Sequence, residues 1–250
     1  MLARRRTPRA VARIAALLLA AVASTTLAGP AGAAQTAPWG TAPAGSGFAN
    51  GPAPGVVVVG DSLVTGAFGI GIGEQPLADH LRTVTGRQAY VSAASGASWV
   101  TYGWPGQQNG NSVVWDLAAW FQPSVVVGAL GHNDARIMAS NPGSYSSAQQ
   151  LAIMQNAVTA SLAHAGCVLL VNTRTASGNP TFPTSTTTAV NANMATLDST
   201  IPGVYVADWN AHSAGQASWF TDGVHMTAAG KLHYAAFISG RVQALRAAGC

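Results

Sequence analysis

A chain of 250 residues that is 48% hydrophobic and 8% charged has the composition of a globular protein, with room for one large domain or two small ones. Its 12 Lys and Arg outnumber its 8 Asp and Glu, yet Arg4, Arg5, Arg6, Arg9 and Arg13 all lie in an N-terminal head; without them seven basic residues face eight acidic ones, a net charge of −1. That balance leaves no basic patch to argue for nucleic acid, and no later apolar run is long enough to cross a bilayer.

The arginine head is followed by a short apolar stretch, Ile14 to Val22, and by the small-residue run Ala31-Gly32-Ala33-Ala34. Together they predict a signal peptide over residues 1–34, cut after Ala33 or Ala34, and hence a secreted protein, extracellular or in the cell envelope. The apolar stretch is too short to span a bilayer stably, and no stable membrane insertion is expected after the leader is removed. The arginines lack the usual twin-arginine context, which favours the general secretory route. Residues 35–54, rich in Pro, Gly and Ala, read as a flexible lead-in, and residues 55–250 as a single domain.

The domain opens on Val56-Val57-Val58-Val59-Gly60-Asp61-Ser62-Leu63. Four β-branched residues without polar alternation predict a strand buried on both faces, as in a parallel sheet. The glycine-rich run from Gly66 to Gly73 fails as a phosphate loop: no Gly-Lys-Ser/Thr follows, and Glu74 takes the last glycine position of a dinucleotide fingerprint. It reads instead as a mobile loop beside the serine. A helix is expected over 75–85 with Gly86 as its stop, and a strand over 90–94 ending at Ser95-Gly96. Next come a helix over 111–121, a strand over 124–130 ending at Gly131-His132-Asn133-Asp134, and a long helix over 146–165. Strands over 167–172 and 204–208 enclose a helix near 188–199. A last helix, capped by Thr227, is expected to bury Leu232, Ala235, Phe237 or Ile238, Val242 and Leu245.

Apolar strands alternating with amphipathic helices predict an α/β fold: a three-layer α/β/α sandwich on a central parallel sheet of about five strands, in the order 2-1-3-4-5. In such sheets ligands sit beyond the carboxyl ends of the strands. At those ends this chain places Ser62, Gly96, Asn133 and the segment Asp222-Gly223-Val224-His225. A serine alone there would be a helix cap. Here the parts for acyl transfer are all present: Ser62 as nucleophile, His225 as its general base, Asp222 to orient the imidazole, and the Ser62 and Gly96 N–H groups with the Asn133 amide as oxyanion donors.

The four blocks resemble those of the SGNH hydrolases, also called the GDSL esterase/lipase family, in the expected order. Gly60-Asp61-Ser62-Leu63 matches the first, Gly96 the second, Gly131-His132-Asn133-Asp134 the third and Asp222-Gly223-Val224-His225 the last. The resemblance implies a flavodoxin-like fold and ester hydrolysis or acyl transfer without a metal or other cofactor. An α/β-hydrolase is a poorer match, because Val64 stands where its elbow requires glycine.

The substrate expected is an ester of a small molecule, lipid or acylated glycan. Trp99, Tyr102 and Trp104, just after the Gly96 turn, are candidates for lining its pocket, whereas Trp115 and Trp120 read as core. Asp61 and Asp134 read as braces for backbone, and His132 as structural or solvent-facing. His80, His164, His212 and His233 have no metal-ligand spacing. Cys167 and Cys250 form the lone pair that an oxidising compartment usually joins; the alternative is two separate thiols. Three functions fit: a secreted serine esterase, an acyltransferase to a cell-envelope sugar or lipid alcohol using the same residues, and a non-catalytic glycan-binding module on the same fold.

Overall fold

The computed structural model describes residues 54–66, 69–104 and 108–250, so the leader and all of the lead-in but Pro54 lie outside the described residues. In chain order the elements are β1 (Val56–Gly60), α1 (Glu74–Thr85), β2 (Ala89–Ala93), β3 (Tyr102–Trp104), β4 (Gln108–Asn109), α2 (Gly110–Phe121), β5 (Val125–Ala129), α3 (His132–Ser140), α4 (Ser147–Leu162), β6 (Cys167–Val171), α5 (Thr184–Thr200), β7 (Val204–Ala207), α6 (Trp209–His212) and α7 (Ala228–Ala247). The main sheet is wholly parallel, in the order β2-β1-β5-β6-β7, which is the expected 2-1-3-4-5 once the small β3-β4 hairpin is set aside.

The valine run of β1 lies between β2 and β5, in register Val56 with Ala89 and Val125. Its side chains alternate between two cores. Val56 and Val58 pack with Leu77 and Leu81 of α1 and Phe237, Ile238 and Val242 of α7. Val57 and Val59 pack on the opposite face with Val114 and Leu117 of α2, Met154 and Val158 of α4 and Met194 of α5. β1, β5 and β6 are buried on both faces, which is why they read as continuous apolar runs, whereas the edge strand β7 leaves Tyr205 39% exposed.

Helix starts follow local chemistry. Reciprocal capping boxes begin α2 (Asn109 with Ser112) and α4 (Ser146 with Gln149), and the Thr227 hydroxyl accepts the Gly230 N–H at the start of α7. Helix α5 starts at Thr184, four residues before the expected 188. Its first turn is threonine-rich, and the Thr186 and Thr187 hydroxyls donate to the Pro183 carbonyl. Two assignments are overturned by exposure. Leu232 is on the outer face of α7, 74% exposed, and Trp115 is 41% exposed on α2 instead of in the core. Trp120 is half-buried. Cys167, the first residue of β6, is joined to Cys250 and ties the end of α7 to the sheet. Among the described residues no helix is long and apolar enough to cross a membrane.

Candidate active site

The serine turn is built by close packing. A side-chain carbon on Gly60 would lie 2.4 Å from Val64 Cγ2, so only glycine lets the chain leave β1 and fold back at once. The Asp61 carbonyl accepts the Val64 and Thr65 N–H groups, both at 3.0 Å, and the Asp61 carboxylate accepts the Leu63 N–H at 2.9 Å. Ser62 is left half-buried at the carboxyl end of β1. The described part of the glycine-rich stretch is anchored to this turn. Ile72 and Gly73 donate to the Leu63 and Val64 carbonyls, and the Glu74 carboxylate accepts from Thr65 Oγ1 at 2.8 Å and the Gly66 N–H at 3.0 Å. Lys231 of α7 donates to the Gly69 carbonyl.

From the far end of the chain, the turn before α7 brings His225 to this serine. Ser62 Oγ and His225 Nε2 are 3.2 Å apart, and His225 Nδ1 and Asp222 Oδ2 are 2.7 Å apart. The other Asp222 oxygen accepts the backbone N–H groups of Val224 (2.9 Å) and His225 (2.7 Å), closing the turn on its own acid. Partial burial pushes the Asp222 pKa up, but the hydrogen bonds from the His225 ring and from the two N–H groups outweigh it, and the carboxyl is held below its usual value.

Gly96 has φ +78° in a turn closed by Ala97 N–H to the Ala94 carbonyl, and Ala94 N–H donates to the Gly60 carbonyl, so this turn adjoins the serine turn. Asn133 is buried at the start of α3. Its Nδ2 donates to the Ala97 carbonyl at 2.9 Å and lies 3.4 Å from Asp61 Oδ2, linking all three turns.

Two buried carboxyls brace this arrangement. Asp61 is pushed up to about 6 by burial, opposed by the Leu63 N–H and by His225 nearby. Asp134 is pushed up to about 7 by burial, against hydrogen bonds from the Tyr145 hydroxyl (2.8 Å) and the Trp99 N–H (3.2 Å). His132 is buried, with its ring edge-on to Phe182. Burial pushes its pKa down to about 4.

Trp99 does not line a pocket. It is 0% exposed, inside the core on the α2 side, because the Asp134 carboxylate takes its backbone N–H and pulls the segment inward. The backbone of Tyr102 and Trp104 forms β3, but their side chains lie outside the described part of the structure.

Arg174, three residues beyond the end of β6, joins the site unforeseen: its Nη1 donates to the Gly223 carbonyl at 2.8 Å, inside the turn that carries Asp222 and His225. A clue was present, since it is a lone cation just past the carboxyl end of a central apolar strand, where the other functional groups stand. Among the described residues no group of three or more His, Cys, Asp or Glu is placed to hold a metal ion.

No curated protein is significantly similar to the chain. Solved structures share its fold at low identity. A putative GDSL-like lipase from Parabacteroides merdae matches at TM-score 0.59 and 15% identity, covering 78% of this chain and 97% of its own. A lipase/acylhydrolase from Enterococcus faecalis matches at 0.59 and 17%, covering 76% and 95%. A catalytic mutant of an acetylxylan esterase from Geobacillus stearothermophilus matches at 0.55 and 16%, covering 76% and 94%. The sequence itself matches the model of the GDSL-like lipase/acylhydrolase family over residues 58–232, from the first valine strand into α7. The chain therefore belongs to the GDSL-like lipase/acylhydrolase family.

Proposed function

We propose that the protein is a secreted serine esterase that hydrolyses carboxylic esters through an acyl-enzyme on Ser62. The observation that carries this reading is the continuous relay from Ser62 Oγ to His225 Nε2 (3.2 Å) and from His225 Nδ1 to Asp222 Oδ2 (2.7 Å). A serine hydroxyl attacks an ester only if its proton is removed during the attack, and imidazole is the side chain matched to that task near neutral pH. Asp222 holds the tautomer with hydrogen on Nδ1, so that Nε2 faces the hydroxyl as a free base, and it stabilises the imidazolium that forms. The imidazolium then protonates the departing alcohol. Water, activated by the same ring, releases the acid from Ser62.

The negative charge on the tetrahedral oxygen is met by the N–H groups of Ser62 and Gly96 and by Asn133. One Asn133 hydrogen is committed to the Ala97 carbonyl at 2.9 Å, and the second, whose contact to Asp61 Oδ2 is the longer at 3.4 Å, is the one that would turn to the oxyanion. Removing one such donor costs about 3 kcal/mol of transition-state stabilisation. The basic head, apolar stretch and small-residue run of residues 1–34 support export, and the Cys167–Cys250 disulfide fits an oxidising compartment.

The test is hydrolysis of p-nitrophenyl esters of rising acyl length and of acetylated xylan, by the mature protein and by Ser62→Ala, with alcohol acceptors added in a parallel series. Free acid released by the wild type and abolished in Ser62→Ala supports the reading. Acyl transfer outrunning release of acid, or full activity in Ser62→Ala, contradicts it.

A further inference from the structure

Arg174 is the buried arginine of the described residues, 8% exposed, and no carboxylate among them lies within salt-bridge distance of it. Burying a guanidinium without an ion pair is costly, so its remaining contacts show where that cost is returned. Nε is buried without a hydrogen-bond partner among the described residues, and the two contacts that the guanidinium does make fall on one short segment. Nη1 donates to the Gly223 carbonyl at 2.8 Å, and the guanidinium carbon sits 4.4 Å from the centre of the Phe220 ring. Residues 220–225 hold Asp222 and His225 between them.

The backbone on either side of Arg174 is pinned by asparagines from two different helices. Asn191 of α5 accepts both the N–H and the hydroxyl of Thr173 at 2.8 Å and donates to the Thr173 carbonyl at 2.7 Å. Asn210 of α6 accepts the N–H of Thr175 at 2.8 Å and its hydroxyl at 3.0 Å. A side chain with long, flexible geometry is thereby projected from a fixed base. From the same loop, Asn179 Nδ2 donates to the Asp222 carbonyl at 3.3 Å, and the Ser177 carbonyl packs on Gly223 so closely that any side-chain carbon there would be 1.8 Å from it. The loop after β6 therefore holds the backbone of the acid–histidine turn, which is otherwise exposed at Asp222.

We propose that Arg174 is a positioning residue: braced between Asn191 and Asn210, it clamps the Gly223 carbonyl and so holds Asp222 and His225 in line with Ser62. This rests on the assignment of those three residues given above. The Arg174 side chain touches the turn and none of the reacting atoms, so its loss lowers the rate of chemistry and leaves substrate affinity in place. Misplacing a catalytic group by about 1 Å costs on the order of 100-fold, and loosening one of several contacts to the turn costs a part of that.

The experiment compares wild type, Arg174→Met and Arg174→Lys on p-nitrophenyl acetate, with rates expressed per active site titrated by a fluorophosphonate. Met keeps a stem of similar length and loses the charge and the donors; Lys keeps the charge and an N–H donor without the planar fork. The expected result is kcat lowered about 10-fold or more in Arg174→Met and by about 3-fold in Arg174→Lys, with KM within about 2-fold of wild type in both. If Arg174→Met does not fold, the Lys variant decides by the same criterion. Wild-type kcat in either folded variant, or a change confined to KM, overturns the proposal. A wild-type protein that hydrolyses the ester but is not labelled at Ser62 overturns the assignment of the nucleophile instead.

Discussion

Replacing Gly223 by alanine separates local strain from damage to the candidate site. Gly223 has φ +85°, a conformation that costs an L-residue about 1–2 kcal/mol. A methyl carbon there would also lie 1.8 Å from the Ser177 carbonyl oxygen and 2.8 Å from its carbon, both backbone atoms that cannot swing aside. Reaching an ordinary carbon–oxygen separation of about 3.3 Å requires the two segments to part by about 1.5 Å. Because Gly223 directly follows Asp222 and lies two residues before His225, that movement falls on the 2.7 Å and 3.2 Å contacts of the relay. A displacement of that size predicts kcat lowered by about 100-fold, together with a lower melting temperature. Gly178→Ala is the control: it sits in the facing loop with φ +66° and nothing within 4 Å of the added carbon, so it carries the conformational cost alone. The assay is p-nitrophenyl acetate turnover per titrated site, with thermal melts of both variants. A Gly223→Ala protein with wild-type kcat, or a Gly178→Ala protein that loses as much activity, would refute the claim that the turn must be held this closely.

Asp222→Asn is expected to fold and to lose up to about four orders of magnitude in turnover, as loss of the orienting acid does in serine proteases; near-normal turnover would assign the orientation of His225 to another group. Asp134 and Asp61 titrate at about 7 and about 6 when folded against 3.8 unfolded, so the folded state holds more protons and their contribution is present below pH 3.8 and lost as pH rises through 6 to 7. His132, lowered from 6.5 to about 4, acts in the opposite sense below pH 6.5, so the clean measurement is a difference: denaturant unfolding of Asp134→Asn should depend less steeply on pH between 5 and 8 than the wild type, and an unchanged slope would contradict the assignment. Opening the Cys167–Cys250 bridge, 83 residues apart in sequence, removes up to about 4.5 kcal/mol in the chain-entropy account and should lower the melting temperature by about 10 °C. Because the bridge is at the amino end of β6, opposite the site, kcat per titrated site should not change.

The sheet was legible because Val56–Val59, Val125–Val127 and Cys167–Val171 are apolar without alternation, a pattern that few structures besides a doubly covered parallel strand produce. Ser62 and Asn133 were legible for the same reason, since each closely follows an apolar strand, whereas His225 lies in the turn before α7 and was legible from its spacing to Asp222. What escaped was decided by packing that the local pattern does not carry. Trp99 looked like a pocket aromatic because it follows Gly96, but the Asp134 carboxylate draws its backbone inward. Leu232 has the spacing of a core residue on α7, yet it falls outside the stripe that Tyr234, Phe237, Ile238 and Val242 turn to the sheet. Helix α3 was hidden because its first turn, His132, Asn133 and Asp134, is buried and polar, the reverse of an amphipathic signal. The position of Arg174 past the end of β6 was a clue, but its partners, the Gly223 carbonyl 49 residues away and the Phe220 ring, are set by tertiary packing.

The most direct test of the central claim is to map the covalent adduct. The protein is incubated with a fluorophosphonate, its intact mass is measured, and the modified peptide is sequenced. One adduct per chain on Ser62, formed more slowly in Asp222→Asn and absent from a folded Ser62→Ala, is the predicted result; an adduct on any other residue, or none in protein that still hydrolyses esters, would contradict it.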